Sequence, residues 1–224
     1  MRLASITPAT FAELPFAARR SVWWEVPDGF GLSGAAAEFE KEAWVSAVCS
    51  EAPDCGFVVS HGGLFYCEPR FAPGSTVLAS GPVSADALLI SSMFIDPGFE
   101  GTGIDVVLLH AALMQITLMG YPAVEAFGYV PGTADAAGSL GELGGHGGDP
   151  ESAGRGLGTA DTPPGRIDAA VAVAGGFLGA QFLEDNGFTV VADDPVVPRY
   201  RLALPPAEGI LSVAALTEMV AAAV

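Results

Sequence analysis

The sequence predicts a chain of the α+β class built around a mixed β-sheet, and three patterns carry this prediction. An apolar run, Ala87–Ile95, is followed by a glycine-containing turn and by apolar residues spaced as one face of a helix, as far as Met119. Residues 121–129 form another strand pattern, and a strand–helix–strand unit of this length implies a parallel pair with a right-handed crossover. Two short runs, Cys55–Ser60 and Leu64–Glu68, predict an antiparallel hairpin.

The flanking segments predict helices. Apolar and aromatic residues recur at helical spacing over residues 10–26 and over Ala37–Ser50. The charged side chains of the second segment, including Lys41, are expected mostly on its solvent-exposed face. Further helices are expected from about Phe177 to Asn186 and over Ile210–Val224.

The hairpin turn is expected at the glycines between its two runs. If Gly62-Gly63 forms a two-residue turn, the glycines supply the positive φ angles that such turns require. Val58 then pairs with Cys67 in the resulting register.

The length of 224 residues predicts a single domain. Residues 1–36 are expected to form a helical N-terminal extension, and residues 208–224 a C-terminal helix. Residues 131–168 contain eleven glycines among 38 residues, which predicts a mobile insertion because such a composition buries little apolar surface. The last two strands are expected at Phe188–Ala192 and Tyr200–Leu204.

The charge balance excludes one large class of partners. The chain carries nine Lys and Arg residues against 26 Asp and Glu, a formal net charge of −17. Nucleic-acid binding needs a basic run or stripe, and none is present. The sequence contains no charge-free apolar run of about 18 residues, so no membrane span is expected. With no signal-peptide pattern at the N-terminus either, the expected location is the cytoplasm.

The cysteines and histidines predict neither a disulfide framework nor a metal site. Cys49, Cys55 and Cys67 are odd in number and include no Cys-x-x-Cys pair, so reduced thiols are expected. The three histidines are scattered over a turn, a helix and a glycine-rich segment, without the spacing of metal ligands.

The turn before the predicted long helix is the candidate binding element. A turn ahead of a helix presents unpaired backbone N–H groups and the positive end of the helix dipole, an arrangement that often binds phosphate. Two carboxylates, Glu100 and Asp105, lie in this same turn. The sequence leaves open whether the turn still binds a phosphate.

Five segments, in their order and spacing, point to one family. They are Lys41-Glu42-Ala43-Trp44, Ile95-Asp96-Pro97 before the glycine turn, Val124-Glu125-Ala126-Phe127-Gly128, Phe182-Leu183-Glu184-Asp185-Asn186-Gly187-Phe188, and Pro195–Leu204. Together they resemble the GNAT superfamily of N-acetyltransferases, over roughly residues 37–204. The resemblance implies a three-layer α+β fold in which helices flank a mixed, mostly antiparallel sheet. This sheet splays between the strand ending at Ile95 and the strand starting at Tyr121.

The resemblance also implies a cofactor, acetyl-coenzyme A, lying in the splay. Its pantetheine arm would bond to the strand backbone at Met93, Phe94 and Ile95. Its pyrophosphate would sit on the turn and first helical residues, which are Glu100, Gly101, Thr102, Gly103, Ile104, Asp105 and Val106.

The turn departs from the family pattern at two positions. Glu100 replaces a basic or neutral residue, and Asp105 replaces a small one. A carboxylate about 5 Å from a phosphate charge costs on the order of 3 kcal/mol at an effective dielectric constant of 20. Asp105 has a second interpretation as the N-cap residue of the helix, in which case its side chain takes the place of the phosphate.

Two further positions bear on catalysis. Leu183 stands where many family members place a tyrosine that protonates the departing thiolate, and leucine cannot do this. Glu125 lies in an otherwise apolar strand, where a carboxylate needs a partner or a raised pKa. It is either a general base for an incoming amine or a sheet residue bonded to an arginine or a backbone N–H.

Two functions follow from these residues. The first is an acyl-CoA-dependent N-acyltransferase that moves an acetyl group from acetyl-CoA to an amine of a small molecule or a protein. The alternative is a protein of the same fold that has lost acetyl-CoA binding and acts as a non-catalytic binding or assembly module. The oligomeric state stays open, a homodimer being the simplest expectation.

Overall fold

The computed structural model of the chain describes residues 2–26, 32–132 and 167–222. Its strands are β1 Ala4–Ser5, β2 Gly56–Val59, β3 Gly62–Cys67, β4 Ala87–Ile95, β5 Ala123–Tyr129, β6 Leu178–Gly179, β7 Thr189–Ala192 and β8 Arg199–Ala203. Its α-helices are α1 Phe16–Arg20, α2 Gly34–Cys49, α3 Ile104–Leu118, α4 Ala169–Ala174, α5 Ala180–Asp185 and α6 Val213–Ala222.

The strands form one mixed sheet in the order β1-β2-β3-β4-β5-β8-β7, with β6 paired to β5 beside this path. The β4–β5 and β5–β6 pairs are parallel, and the other pairs are antiparallel. The predicted fold class, a mixed and mostly antiparallel sheet flanked by helices, is therefore confirmed.

Side chains alternate along β4 and β5 and so build a core on each face of the sheet. Leu88 and Ile90 of β4, with Val124 of β5, pack in the core that contains α3. Leu89 and Phe127 belong to the opposite core, which includes the tryptophans and α2. The sheet is thus covered on both faces, as a three-layer architecture requires.

The N-terminal region differs from its prediction. Residues 10–26 form a short 3₁₀ turn and the five-residue α1, not one helix. Pro15 separates them, because proline disfavours the helical conformation of the residue before it, and Leu14 is extended at φ −65° and ψ 146°. Upstream, β1 adds an edge strand to the sheet by pairing with β2.

Helix α2 is confirmed, but the prediction for its lysine is wrong. Lys41, the sole lysine of the chain, is completely buried and ion-paired to the equally buried Glu25 at 2.5 Å. Its ammonium group also lies 4.0 Å from the centre of the Phe65 ring. Helical periodicity placed Lys41 among charged neighbours, whereas the N-terminal segment brings a partner that sequence spacing does not reveal.

The hairpin is confirmed, but its predicted register is wrong. Val58 pairs with Gly63 and Val59 with Gly62, so the turn is Ser60-His61. Gly62 lies within β3 beneath α3, and a Cβ there would lie 2.8 Å from Ile104 Cγ2. The glycines therefore permit close packing of the helix on the strand and are not the turn residues.

The later elements follow the predictions, with shifted boundaries. Strand β4 has the predicted bounds, and β5, β7, β8, α3 and α6 agree within a few residues. The predicted helix from Phe177 starts later, at Ala180, because Leu178–Gly179 pairs with β5 as β6. Of the predicted mobile insertion, residues 133–166 lie outside the described part of the chain.

Candidate functional site

The two parallel central strands separate halfway along their length. Ala87–Ile90 pairs with Ala123–Ala126, but β4 continues to Ile95 and β5 to Tyr129 without further pairing to each other. Ser91 is an extra residue in β4, since Phe65 faces Ser92 while Tyr66 faces Ile90. A β-bulge of this kind bends a strand, and here it lies where β4 leaves β5.

A groove of about 210 Å³ opens at this separation. One side consists of the β4 residues Met93 and Ile95, and the opposite side of the β6–α5 region. The turn before α3 closes one end. The complete lining is Met93, Ile95, Phe99, Glu100, Gly101, Asp105, Phe177, Leu178, Gly179 and Phe182.

Left-handed glycines shape the turn. Gly101 and Gly103 have φ angles of 71° and 85°, in the region that side-chain-bearing residues avoid. Gly103 is the N-cap residue of α3 and offers no side chain to the first-turn N–H groups. The Thr102 hydroxyl donates to the Phe99 carbonyl, which tightens the turn. The start of α3 therefore faces the groove with a glycine cap.

The two carboxylates differ in their surroundings. Glu100 is exposed, while Asp105 is half-buried and is the second residue of α3. The interpretation of Asp105 as N-cap is therefore wrong, because Gly103 holds that position. Even so, Asp105 Oδ1 accepts a hydrogen bond from the Val106 N–H at 2.9 Å. One of the donors expected to face a phosphate is thus already bonded to a carboxylate.

A parallel β4–β5 pair that separates beside a glycine turn and a long helix is the arrangement that the resemblance implies. The chain has a GNAT fold. This fold is one that acyl-CoA-dependent acyltransferases use. No protein-family model and no curated relative matches the sequence.

Solved structures of this fold are similar at low sequence identity. The PaiA N-acetyltransferase from Thermoplasma acidophilum, solved with coenzyme A, is 12% identical with a TM-score of 0.45, over 90% of this chain and 98% of its own. The GNAT-like decarboxylase GphF, solved with isobutyryl-CoA, is 16% identical with a TM-score of 0.49, over 91% and 100%. An acetyltransferase from Thermus thermophilus is 14% identical with a TM-score of 0.43, over 91% and 96%.

In this GNAT-fold chain, a segment of the chain itself lies between the separated strands. The Met93 N–H donates to the Gly176 carbonyl at 2.8 Å. Two residues later, β6 pairs in parallel with Gly128 and Tyr129 of β5. The groove therefore ends at this segment. Sequence reasoning missed it, because Gly175-Gly176 interrupts an Ala-rich run that otherwise reads as helical.

The wall formed by Phe99 is held by its neighbours. The His61 ring stacks on the Phe99 ring with centroids 3.6 Å apart and planes 7° from parallel. His61 Nδ1 lies 3.2 Å from Asp96 Oδ2, and the Asp96 N–H donates to the His61 carbonyl at 2.8 Å. The hairpin turn Ser60-His61 thus supports the groove, a role that the sequence alone did not suggest.

Glu125 lies away from the groove lining and is fully engaged. Its carboxylate accepts hydrogen bonds from Arg199, from Arg201 at 2.9 Å and from the Ser84 N–H at 3.1 Å. Burial would raise the pKa of Glu125, but the hydrogen bonds from Ser84, Arg199 and Arg201 together outweigh it and hold the pKa below its usual range. This geometry supports the sheet-residue interpretation, because an ionised carboxylate held by two guanidinium groups is a poor proton acceptor.

The predicted site residues are brought together only in part. Met93, Ile95, Glu100, Gly101 and Asp105 line the groove, whereas Phe94 and Ile104 are buried in the cores. Leu183, at the position of the family tyrosine, is completely buried.

A larger cavity lies elsewhere in the molecule. It measures about 420 Å³, lies between α3, α5 and residues 206–211, and holds none of the predicted residues. His110 is on its wall and accepts a hydrogen bond from the Leu211 N–H at 3.3 Å, and burial lowers the pKa of this imidazole.

The described part of the chain comprises residues 2–26, 32–132 and 167–222. Within these ranges, no three His, Cys, Asp or Glu side chains are grouped so as to hold a metal ion. Among the helices of the same ranges, none is long and apolar enough to cross a membrane.

Proposed function

We propose that the protein is an acyl-CoA-dependent N-acyltransferase that moves an acetyl group from acetyl-CoA to an amine of a small molecule or a protein. The observation that carries the proposal is the groove itself. It joins the free edge of β4 at Ile95 to the N-terminus of the 15-residue α3. A strand edge beside a helix N-terminus matches a ligand with an amide-containing arm and a phosphate end.

The inner part of the groove fits a pantetheine arm. Its walls are apolar, and successive peptides of a strand point alternately to its two sides. Since the Met93 N–H faces the groove side of β4, the peptide of Ile95 faces the same side. When bound there, the thioester supplies an activated acyl group, and the chain contributes its placement.

The phosphate end fits less well. Glu100 and Asp105 line it, and each carboxylate about 5 Å from a phosphate costs on the order of 3 kcal/mol at an effective dielectric constant of 20. Solvent screening reduces this cost at the exposed Glu100 more than at the half-buried Asp105. We therefore expect weak cofactor binding.

The groove can accelerate acyl transfer by positioning the amine and the thioester. Glu125 is bonded to two arginines and Leu183 cannot carry a proton, so the two expected proton-transfer groups are missing. Such groups contribute about 10²–10⁴ in rate where they are used. Holding an amine against a thioester accelerates the reaction without them, so a slow transferase is expected.

A second function is favoured by the Asp105–Val106 hydrogen bond. A carboxylate that bonds to a first-turn N–H stabilises the helix start in place of an external anion. On this ground the protein would be a non-catalytic binding or assembly module with a GNAT fold.

Titration with acetyl-CoA decides between the two functions. Calorimetry should show saturable binding up to millimolar cofactor, and a thioester-release assay with a panel of amines should show acceptor-dependent turnover. Absence of binding at millimolar acetyl-CoA would refute the transferase and leave the module.

A double variant tests the electrostatic argument. Glu100→Arg with Asp105→Gly should bind acetyl-CoA about a hundredfold or more tightly, since about 3 kcal/mol corresponds to a factor near one hundred. The matched control is Glu40→Arg with Asp193→Gly, which changes the net charge equally at exposed positions outside the groove. Equal affinities of the two double variants would show that only net charge matters.

A further inference from the structure

We infer that residues Gly175–Gly179, termed the strap, act as a built-in competitor for the cofactor groove. The inference rests on the proposed function, because it assigns what must move before acyl-CoA can bind. The resemblance implies that the pantetheine arm bonds to the backbone of β4 at Met93. In the structure, the Met93 N–H already donates a hydrogen bond to the Gly176 carbonyl, at 2.8 Å.

The strap also bridges to the other strand. Leu178 and Gly179 pair with Gly128 and Tyr129, on the part of β5 that β4 no longer reaches. The strap is thus hydrogen-bonded to both separated strands, at the position where an extended ligand would lie. Phe177, Leu178 and Gly179 also line the groove, so a displaced strap would change its width.

Buried aromatic side chains hold the strap in place. The Trp24 indole N–H donates to the Gly175 carbonyl at 2.8 Å, in a bond that is buried. The Phe177 ring lies 4.7 Å from the Trp24 ring and 4.8 Å from the Trp23 ring, between centroids. The N-terminal segment therefore anchors the strap from the face of the sheet opposite to α3.

The close approach of the strap to β4 depends on Gly176. Gly176 has a φ of 65°, and a Cβ at this position would lie 2.5 Å from Phe94 Cζ. Only glycine lets the peptide lie against the Phe94 ring while its carbonyl reaches Met93. Pantetheine gains little net hydrogen bonding at Met93, since it exchanges an existing bond for its own. Detaching the strap is therefore part of the cost of binding.

Two variants loosen the strap by different means. Gly176→Ala introduces the clash with Phe94 and disfavours the left-handed backbone. Trp24→Phe keeps an aromatic ring but removes the N–H that holds Gly175. Each should bind acetyl-CoA about tenfold more tightly than wild type, the scale of one buried hydrogen bond.

The control for backbone strain is Gly120→Ala. Gly120 has a φ of 85°, and a Cβ added there would have nothing within 4 Å, so this variant shares the conformational cost without a clash. Its affinity for acetyl-CoA should equal that of wild type. Hydrogen exchange measured by mass spectrometry reports the strap directly, because the Met93 amide should exchange faster in both strap variants and regain protection with acetyl-CoA.

The outcomes separate this inference from the proposed function. Each strap change is also made in the Glu100→Arg, Asp105→Gly protein, which is expected to bind the cofactor well. If wild type and that protein both bind acetyl-CoA but the strap variants bind no more tightly despite faster Met93 exchange, the strap inference is wrong and the transferase stands. If no protein of the set binds acetyl-CoA, both fail.

Discussion

Replacing Glu125 by glutamine tests whether this buried carboxylate is a structural residue of the sheet. The substitution keeps the shape of the side chain but removes its charge and turns one oxygen into a donor. Glu125 has no exposed surface, while the side chains of Arg199 and Arg201 are 12% and 26% exposed. One guanidinium group in the variant therefore faces an NH₂ group.

The expected loss of stability is large. Breaking one partner of a buried ion pair costs about 3–5 kcal/mol, and the partial exposure of the arginines lowers this to about 2–4 kcal/mol. For a chain of this length, that corresponds to a fall in melting temperature of about 5–15 °C. Urea unfolding followed by the fluorescence of the three tryptophans measures the free energy directly.

The pH dependence of the unfolding free energy identifies the Glu125 carboxylate as the source of the stabilisation. The pKa of Glu125 in the folded chain lies below its ordinary value of 4.5, so its stabilisation is complete above that value and is lost as the pH falls through the lower, folded pKa. The difference in stability between wild type and Glu125→Gln should therefore shrink on acidification below pH 4.5, as the pH approaches the lower pKa of the folded state.

The matched control removes a different carboxylate that pairs with Arg201. Asp86 pairs with Arg201 at 2.7 Å, but its side chain is 56% exposed, so Asp86→Asn should leave the unfolding midpoint almost unchanged. Equal midpoints for wild type and Glu125→Gln at neutral pH would refute the structural role. A stable Glu125→Gln protein that had lost transferase activity would restore the general-base interpretation.

Three further experiments test the buried ion pair, a glycine contact and the docking of α6. Lys41→Met should cost about 3–5 kcal/mol by leaving Glu25 buried without a partner, and Glu25→Leu added to it should recover part of that loss in urea unfolding. Gly56→Ala should prevent folding, seen as loss of cooperative unfolding, because its Cβ would lie 2.0 Å from the Leu64 carbonyl oxygen; Gly81→Ala, also at positive φ but in open space, should remain folded. Leu216→Ala should cost about 3 kcal/mol, since Leu216 is 2% exposed in the core shared with α3; an unchanged melting temperature would show that α6 does not dock there in solution.

Local patterns predicted the elements that position the groove. The bounds of β4 and the existence of α3 followed from an apolar run, a glycine-containing turn and helical spacing, all within residues 87–119. Prediction weakened where proline or glycine had two possible roles. Gly62 and Gly63 looked like turn residues, yet they lie in β3 because α3 and Leu14 pack directly on them.

The central strand, the glycine turn and the helix after it could be predicted from the sequence, because each is specified by neighbours a few residues apart. The partners of the buried polar groups around these elements depend instead on which distant segments the fold brings together. Glu125 meets Arg199 and Arg201, which are 74 and 76 residues away, and Trp24 meets Gly175 at a separation of 151 residues. Buried charges and backbone donors take the partners that folding brings to them, and sequence spacing carries no record of those distances.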